Sequence, residues 1–203
     1  MPVMSRRYTL GQRAEQVDET RRRITEAAVE LHATIGPAET TVSAIAERAG
    51  VQRLTVYRHF PDGLALFAAC SAHWLAHNPP PAAADWERLA DPEVRLAAAL
   101  RDLYGYYART AAMWERVLRD APRVPALQEP MAAWQGYLDG ARDTLARPWR
   151  ARGSRRTLAA AAIGHALDFT TYASLTRHGI EAGRGVGLMV ELVRAAAGAP
   201  RAR

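Results

Sequence analysis

Residues 40–60 read TTVSAIAERAGVQRLTVYRHF, a segment that predicts two short helices joined by a tight turn. Thr40 or Thr41 can cap the first helix, because a hydroxyl oxygen accepts a hydrogen bond from an otherwise unpaired backbone N–H. The apolar residues of that helix recur at helical spacing and would form one buried face: Val42, Ile45, Ala46 and Ala49. Gly50 supplies the positive φ that ends a helix in a tight turn.

The second short helix carries an outer face that is large for its length. Val56 and Phe60 are its obvious inward residues, and the other side chains form the outer face: Gln52, Arg53, Leu54, Thr55, Tyr57, Arg58 and His59. Two helices joined in this way can place one of the pair in the major groove of DNA. An ordinary helical hairpin with a solvated polar face is the alternative that spacing alone leaves open.

The chemistry of this outer face suits a nucleic acid. Arg53 could form a bidentate bond to guanine, Gln52 could do the same with adenine, and Leu54 could touch a thymine methyl group. Four further side chains are suitable phosphate donors, which position a protein without reading sequence: Thr41, Ser43, Tyr57 and His59.

This segment resembles the DNA-binding domain of TetR-family transcriptional regulators. The resemblance covers roughly residues 18–67 and rests on Thr-Thr-Val, Ile-Ala-Glu-Arg-Ala-Gly-Val and Thr-Val-Tyr-Arg-His-Phe within residues 40–60. It implies that four side chains face bases: Gln52, Arg53, Leu54 and Thr55. It implies that four others face phosphates: Thr41, Ser43, Tyr57 and His59.

Two positions depart from the family's usual pattern. The family usually has a small residue where this chain has Leu54, so the approach of the helix to DNA would differ here. It also often has Lys-Glu at the start of the next helix, where this chain has Gly63 and Leu64. The phosphate contact of that lysine is therefore missing, which would weaken binding unless the N-terminal arm compensates.

We expect an all-α fold in three parts. The composition is rich in Ala and Leu, which favour helices, and the resemblance implies a three-helix DNA-binding domain followed by a larger helical domain. The parts are a flexible basic arm over residues 1–17, a helix-turn-helix domain over 18–61 and a ligand-binding and dimerisation domain over 62–203. Periodicity predicts helices near these ranges: 19–35, 62–77, 91–109, 111–120, 126–147, 154–178 and 185–197.

The last two long helices are apolar on more than one face, with residues such as Leu158, Phe169, Leu188 and Leu192. A symmetric dimer would cover them, with two helices from each subunit forming a four-helix bundle. The resemblance implies the same homodimer. A two-fold symmetric protein would bind a near-palindromic operator in double-stranded DNA.

Arginine clusters occur near the N-terminus and in the 147–156 segment. Residues 1–17 contain Arg6, Arg7 and Arg13, and such an arm could enter the minor groove, although a solvated tail is the alternative. The run 21–23 opens the first long helix, where positive charge opposes the helix dipole unless an anion such as phosphate lies nearby. The five arginines of the 147–156 loop fit a solvated connector better than an anion site.

Aromatic and polar residues between positions 104 and 172 are candidates for a ligand pocket. They are Tyr104, Tyr107, Trp114, Trp134, Tyr137, His165, Phe169 and Tyr172. Clusters of this kind can line an apolar cavity, and the resemblance implies a ligand cavity in this domain. A plain aromatic core is the alternative. The cluster favours a small apolar or aromatic effector without identifying it.

Other function classes find little support in the sequence. We see no phosphate loop, nucleophile elbow or paired His-Glu metal motif, so we expect neither an enzyme nor a cofactor. Cys70, His73 and His77 would share one helix face, which could hold zinc, but no fourth ligand is visible. The chain has neither a long uncharged apolar stretch nor an apolar segment in its first 20 residues, so we expect a cytoplasmic protein.

The function predicted from these features is a ligand-responsive, sequence-specific DNA-binding transcriptional regulator. Its action as a repressor is the commoner case in the family, and an effector would release it from the operator because DNA and ligand affinities are coupled. The helix near 62–77 would be the lever that moves residues 52–59. The alternative is a helical ligand- or metal-binding protein of the same fold whose DNA recognition has weakened.

Overall fold

The computed structural model describes the backbone of residues 3–199 and the side chains of residues 12–199. Over these residues the regular structure is helical, which confirms the all-α fold. The α-helices are α1 (Val3–Thr34), α2 (Val42–Ala49), α3 (Arg53–His59), α4 (Gly63–His77), α5 (Ala83–Glu87), α6 (Pro92–Asp120), α7 (Gln128–Ala146), α8 (Ser154–Leu167), α9 (Phe169–Arg177) and α10 (Ala182–Ala197). Two 3₁₀ turns flank α7, at Pro125–Leu127 and Arg147–Trp149. Within residues 3–199, no helix combines the length and the apolar character that crossing a lipid bilayer requires.

The chain forms two compact units. The first contains the chain up to His77 together with Glu115–Pro130, and the second contains Asn78–Trp114 and the chain from Met131 onward. Helix α4 therefore clusters with the helix-turn-helix segment, and α6 contributes residues to both units. Helix α1 begins at Val3, so its backbone includes most of the segment for which the sequence predicts a flexible arm.

The helices differ from the sequence predictions in the early start of α1, in the additional short α5, in the earlier start of α10 and in the two breaks described next. Helix α6 continues through Thr110, where we expected a break, and the buried Thr110 hydroxyl donates to the Tyr106 carbonyl of its own helix at 2.7 Å. The single helix predicted over 154–178 is instead divided at Asp168. The Asp168 carboxylate accepts a hydrogen bond from the backbone N–H of Thr170 at 2.7 Å, and so caps the start of a new helix.

In the first unit, α1 carries the helix-turn-helix segment on a small apolar core. The buried residues are Ile24, Ala27, Ala28, Ile45, Ala46, Ala49, Val56, Phe60, Leu66 and Cys70. Thr41, rather than Thr40, caps α2 by accepting a hydrogen bond from the Ala44 N–H at 3.1 Å. Gly50 ends α2 with φ at +64°. The threonine cap and the left-handed Gly50, which predict the turn from the sequence, are therefore the features that form it.

A buried carboxylate in the first unit holds the loop that follows α1. Asp120 is fully buried and accepts hydrogen bonds from the Ala38 N–H at 3.0 Å, from Arg119 at 2.7 Å and from Arg123 at 3.0 Å. The hydrogen bond from Arg119 is the main reason why the pKa of Asp120 lies well below its usual range. Asp120 therefore stays ionised and joins the end of α6 to the loop.

Two arginines of α6 fix the end of α1. Arg116 Nε donates to the Thr34 carbonyl at 2.7 Å, and Arg119 Nη2 donates to the Ile35 carbonyl at 2.9 Å. These carbonyls belong to the last turn of a helix and its exit, where intrahelical partners are missing. Gly36 follows with φ at +100°, and a Cβ at that position would overlap the side chains of Arg119 and Asp120. Only glycine fits both the backbone conformation and the space.

His32 lies buried in the same region. Its ring stacks on Phe67 with centroids 4.9 Å apart and an interplanar angle of 21°. Burial lowers the pKa of His32 to about 4, although the charge of Asp120 acts in the opposite direction. The imidazole is therefore neutral at physiological pH.

The pKa of His32 predicts a pH dependence of stability. The unfolded chain takes up a proton on this residue near pH 6.5 and the folded chain only near pH 4. Because the unfolded state binds more protons in this window, the free energy of unfolding should fall with decreasing pH, by roughly 3 kcal/mol in all. Urea unfolding at a series of pH values measures this. His32→Gln should remove the dependence and the exposed-site control His178→Gln should keep it; parallel curves for His32→Gln and wild type would contradict the assignment.

Candidate functional site

Helix α3 turns nearly all of its side chains outward. Within it, Val56 is buried, whereas Gln52, Arg53 and Leu54 at its start are exposed and Thr55 is half-buried. Leu54 leaves 68% of its surface exposed. The four residues predicted to face bases thus form an outward surface that is available to a partner.

Arg53 and Tyr57 interact one turn apart on this surface. Arg53 Nη2 donates to the Tyr57 hydroxyl at 3.2 Å, and the guanidinium lies 5.7 Å from the centre of the tyrosine ring. This contact restricts the arginine to the face of α3. A partly ordered side chain loses less conformational entropy when it binds a base.

The residues predicted to face phosphates lie at the surface of α2 and α3. Thr41 and Ser43, at the start of α2, and Tyr57 are exposed, and His59 is half-buried. The Thr41 oxygen accepts the capping bond, so its O–H proton remains able to donate. A helix N-terminus also favours negative charge. These four side chains are therefore accessible to an anionic backbone.

Two exposed arginines of α1 donate hydrogen bonds to the ends of α2 and α3. Arg21 Nη1 donates to the His59 carbonyl at 2.7 Å, and its guanidinium lies 4.2 Å from the centre of the Phe60 ring. Arg23 Nη2 donates to the Ala49 carbonyl and, at 3.3 Å, to the Gly50 carbonyl. The sequence suggested a nearby phosphate for the run 21–23, and nothing in its spacing indicated these distant backbone partners.

The N-terminal arm falls mostly outside this description. The side chains of Arg6 and Arg7 lie outside the described residues, and Arg13 is exposed. A minor-groove role for the arm therefore stays a prediction.

In the second unit, seven of the eight candidate ligand residues form one aromatic cluster. Tyr107 lies at its centre, with ring centroids 5.2 Å from Phe169, 5.7 Å from Tyr172 and 6.2 Å from Trp114. The cluster comprises Tyr104, Tyr107, Trp114, Trp134, Tyr137, Phe169 and Tyr172, together with Tyr106, which stacks on Trp134. His165 is exposed, and its ring nitrogens lie 3.3 and 3.4 Å from the Thr171 hydroxyl.

The polar groups of the cluster are tied to the break between α8 and α9. Tyr104 donates to the Ala166 carbonyl at 2.9 Å and Tyr107 to the Leu167 carbonyl at 2.8 Å, two carbonyls that the end of α8 leaves without helical partners. Burial raises the pKa of both tyrosines, so they remain neutral donors. Trp114 differs, because its buried Nε1–H finds no acceptor among the described residues.

A cavity in the second unit has a different, charged lining. It has a volume of about 440 Å³ and lies between α6 and α10, next to Glu93, Arg101, Glu191 and Arg194. Arg194 and Glu93 approach to 3.9 Å across it. None of the predicted ligand residues lines this cavity, so it is separate from the aromatic cluster.

The candidate metal ligands on α4 do not converge. Cys70 is buried, its thiol faces the Thr25 carbonyl of α1 at 3.9 Å, and burial raises its pKa to about 12. His73 and His77 instead contact each other, with ring centroids 4.2 Å apart. Across the described part of the chain, no three His, Cys, Asp or Glu side chains come close enough to hold a metal ion.

Helices α8 and α10 pack against each other and leave large apolar side chains outside. Ile163, Val186 and Val193 are buried. Leu158, Leu188 and Leu192 expose about half of their surface: 56%, 46% and 49%. The outer face of this helix pair is thus apolar at regular intervals, as the sequence predicts for an interface.

Known proteins share both a sequence segment and the fold. Residues 24–70 match the family model described as bacterial regulatory proteins, tetR family, and no curated protein matches the chain. A TetR-like transcriptional regulator from Rhodococcus sp. RHA1 is 20% identical, with a TM-score of 0.61 over 88% of this chain and 96% of its own.

Two further solved structures have the same fold at lower identity. A TetR transcription regulator from Haloarcula marismortui ATCC 43049 is 16% identical, with a TM-score of 0.54 over 89% of this chain and 97% of its own. The multidrug binding protein EbrR, complexed with imidazole, is 18% identical, with a TM-score of 0.52 over 85% of this chain and 88% of its own. Residues 24–70 thus match the tetR family of bacterial regulatory proteins, and the described helices share the fold of these solved structures.

Proposed function

We propose that this protein is a homodimeric repressor whose α3 reads a near-palindromic operator and whose affinity for DNA falls when an uncharged aromatic effector binds the second unit. The observation that carries the DNA-reading role is the exposed surface of Gln52, Arg53 and Leu54 at the start of α3. These side chains offer two bidentate hydrogen-bonding groups and one methyl-contacting group to the major groove.

The homodimer is supported by the outer face of α8 and α10. Leu158, Leu188 and Leu192 would be covered if the same two helices of a second subunit packed against them. Such an interface is isologous, so it generates two-fold symmetry. Two copies of α3 related by this symmetry would read two half-sites in inverted orientation.

The effector class is supported by the aromatic cluster. Tyr104 and Tyr107 are neutral and already hydrogen-bonded, whereas Trp114 retains a buried donor that an acceptor atom of a ligand could satisfy. A buried polar group without a partner is costly. A planar, uncharged molecule that inserts between the rings and accepts from Trp114 Nε1 fits this arrangement. The fold relative EbrR is described as a multidrug binding protein, which agrees with a site for small molecules.

Helix α6 offers a route from the effector to the DNA-reading segment. It is one continuous helix of 29 residues that carries Trp114 and, six residues later, Asp120. Six residues span about 9 Å along a helix. A ligand that displaces Trp114 would rotate or shift the last turns of α6, and Asp120 and Arg119 would transmit that change to the loop after α1. This route through α6 is additional to the movement of α4 that the sequence predicts to shift residues 52–59.

Selection of bound duplexes from a random pool, read by sequencing, tests the proposed function. Enrichment of a near-palindrome is the expected result. Absence of any enrichment would favour the alternative, a ligand-binding protein of this fold with weakened DNA recognition. The loss would then point to Leu54 and Gly63, the two departures from the family pattern.

Arg53→Ala should weaken binding to the selected duplex by about 1–3 kcal/mol and relax the preference at one base, because a bidentate contact is lost. Tyr57→Phe should weaken binding to all duplexes alike, because a phosphate contact carries no sequence information. Titration of duplexes with single base changes measures both effects. Arg58→Ala removes a neighbouring exposed arginine and should leave base preference intact. Unchanged preference in Arg53→Ala would exclude a base-reading role.

Trp114→Phe should abolish or strongly reduce the release of DNA by aromatic compounds, because it keeps a ring but removes the donor. Release of a labelled selected duplex by a panel of uncharged planar aromatics measures the response. Trp149→Phe is the matched control, since Trp149 Nε1 is also buried without a partner among the described residues but lies outside the cluster. Equal responses of wild type and Trp114→Phe would contradict a role for this donor.

A further inference from the structure

We propose that Arg21 and Arg23 are positioning residues, which fix the orientation of α2 and α3 on α1 and thereby determine which bases α3 reads. The inference rests on the proposed DNA-binding function. It assigns to these arginines a contact with the protein backbone in place of a contact with phosphate.

Arg21 joins α1 to the end of α3. It donates at 2.7 Å to the carbonyl of His59, the last residue of α3, and its guanidinium lies 4.2 Å from the centre of the Phe60 ring. The last carbonyls of a helix lack intrahelical donors and carry partial negative charge, so a guanidinium there satisfies an acceptor and complements the dipole. Its place by the buried Phe60 ring adds a cation–π attraction.

Arg23 joins α1 to the turn between α2 and α3. Its Nη2 donates to the carbonyls of Ala49 and Gly50, which end α2. A Cβ at Gly50 would come within 3.0 Å of Arg23 Nη2, so the guanidinium is seated closely against the turn. A planar guanidinium carries five N–H donors in a fixed fork, which a lysine ammonium does not reproduce.

Helix α3 needs such external attachment because its own core contribution is small. Within the seven residues of α3, Val56 is buried, and Phe60 follows directly after the helix. Val56 at the centre of α3 and Phe60 after its end, with the partly buried Val51 before it, are few apolar contacts to restrain rotation about the helix axis. Arg23 donates to the turn that precedes α3 and Arg21 to the end of α3, so together they would hold the register of Gln52, Arg53 and Leu54 toward the major groove.

Arg22 lies between the two positioning residues and provides a matched control. It pairs with Glu19 at 2.7 Å and with Glu26 at 2.6 Å, both on its own helix. Its removal therefore changes the charge of α1 without releasing α2 or α3.

The salt dependence of binding distinguishes positioning from phosphate contact. Each neutralised phosphate contributes about −0.9 to the slope of log K against log salt concentration. A positioning residue leaves this slope unchanged and alters discrimination between sequences. Substitution of Arg21 or Arg23 by lysine separates positioning from phosphate contact more clearly. A lysine ammonium binds phosphate well as a point charge, but it cannot replace the forked contact of a guanidinium with backbone carbonyls.

The experiment compares full-length wild type, Arg21→Lys, Arg23→Lys and Arg22→Gln on the selected duplex and on a scrambled duplex, at several salt concentrations. Arg21→Lys and Arg23→Lys should each lose on the order of tenfold in affinity for the selected duplex, the equivalent of a charged hydrogen bond. Their affinity for the scrambled duplex and their salt slope should stay at wild-type values. Arg22→Gln should keep wild-type discrimination between the two duplexes.

Wild-type discrimination in both lysine variants would overturn the proposal. A wild type that itself fails to discriminate would instead defeat the proposed function. Amide hydrogen exchange of the DNA-free proteins supplies a second readout that holds even if a variant binds no DNA. The α3 amides should exchange faster in Arg21→Lys than in Arg22→Gln while the α1 amides stay protected, and equal exchange of α3 in these two variants would contradict the positioning role.

Discussion

The weak burial of α3 is the constraint on which the rest of the structure depends. A helix that must present its side chains to a partner cannot also bury them, and α3 keeps little more than Val56 and the following Phe60 in the core. Its orientation is therefore set from outside, through α1. Arg21 and Arg23 supply hydrogen bonds to backbone carbonyls at places where apolar contact is not available. Because the side chains of α3 stay exposed, the helix has little apolar contact with the core, and polar contacts from α1 take over the task of fixing it.

The opposite end of α1 is fixed in a comparable way by α6. Asp120 and Arg119 bind the loop around Gly36 and Ala38, so the polypeptide that enters the helix-turn-helix segment is held by charged hydrogen bonds. A fully buried carboxylate is tolerated there because several donors surround it. Discrete polar contacts of this kind can be broken and remade, which suits the proposed change in the geometry of α3 on effector binding.

Sequence reasoning was accurate where the governing chemistry is local. The capping hydroxyl of Thr41, the left-handed Gly50 and the outward residues of α3 follow from neighbouring residues, and the structure has them as predicted. Long-range partners could not be derived in this way. Arg21 meets a carbonyl 38 residues away and Asp120 an amide 82 residues away, and no periodicity encodes either pairing.

The break at Asp168 was missed because a single Asp inside an apolar run resembles a surface residue until its capping bond is seen. The aromatic residues were correctly grouped, whereas the exposure of His165 depends on tertiary packing.

Dimethyl sulfate footprinting of the selected duplex tests the central claim most directly, because the reagent methylates guanine N7 in the major groove and adenine N3 in the minor groove. If α3 reads the major groove from each subunit of a dimer, wild-type protein should protect guanine N7 at two clusters related by two-fold symmetry. Arg53→Ala should lose protection at one guanine of each cluster. Protection confined to adenine N3, or a single unpaired cluster, would contradict the account.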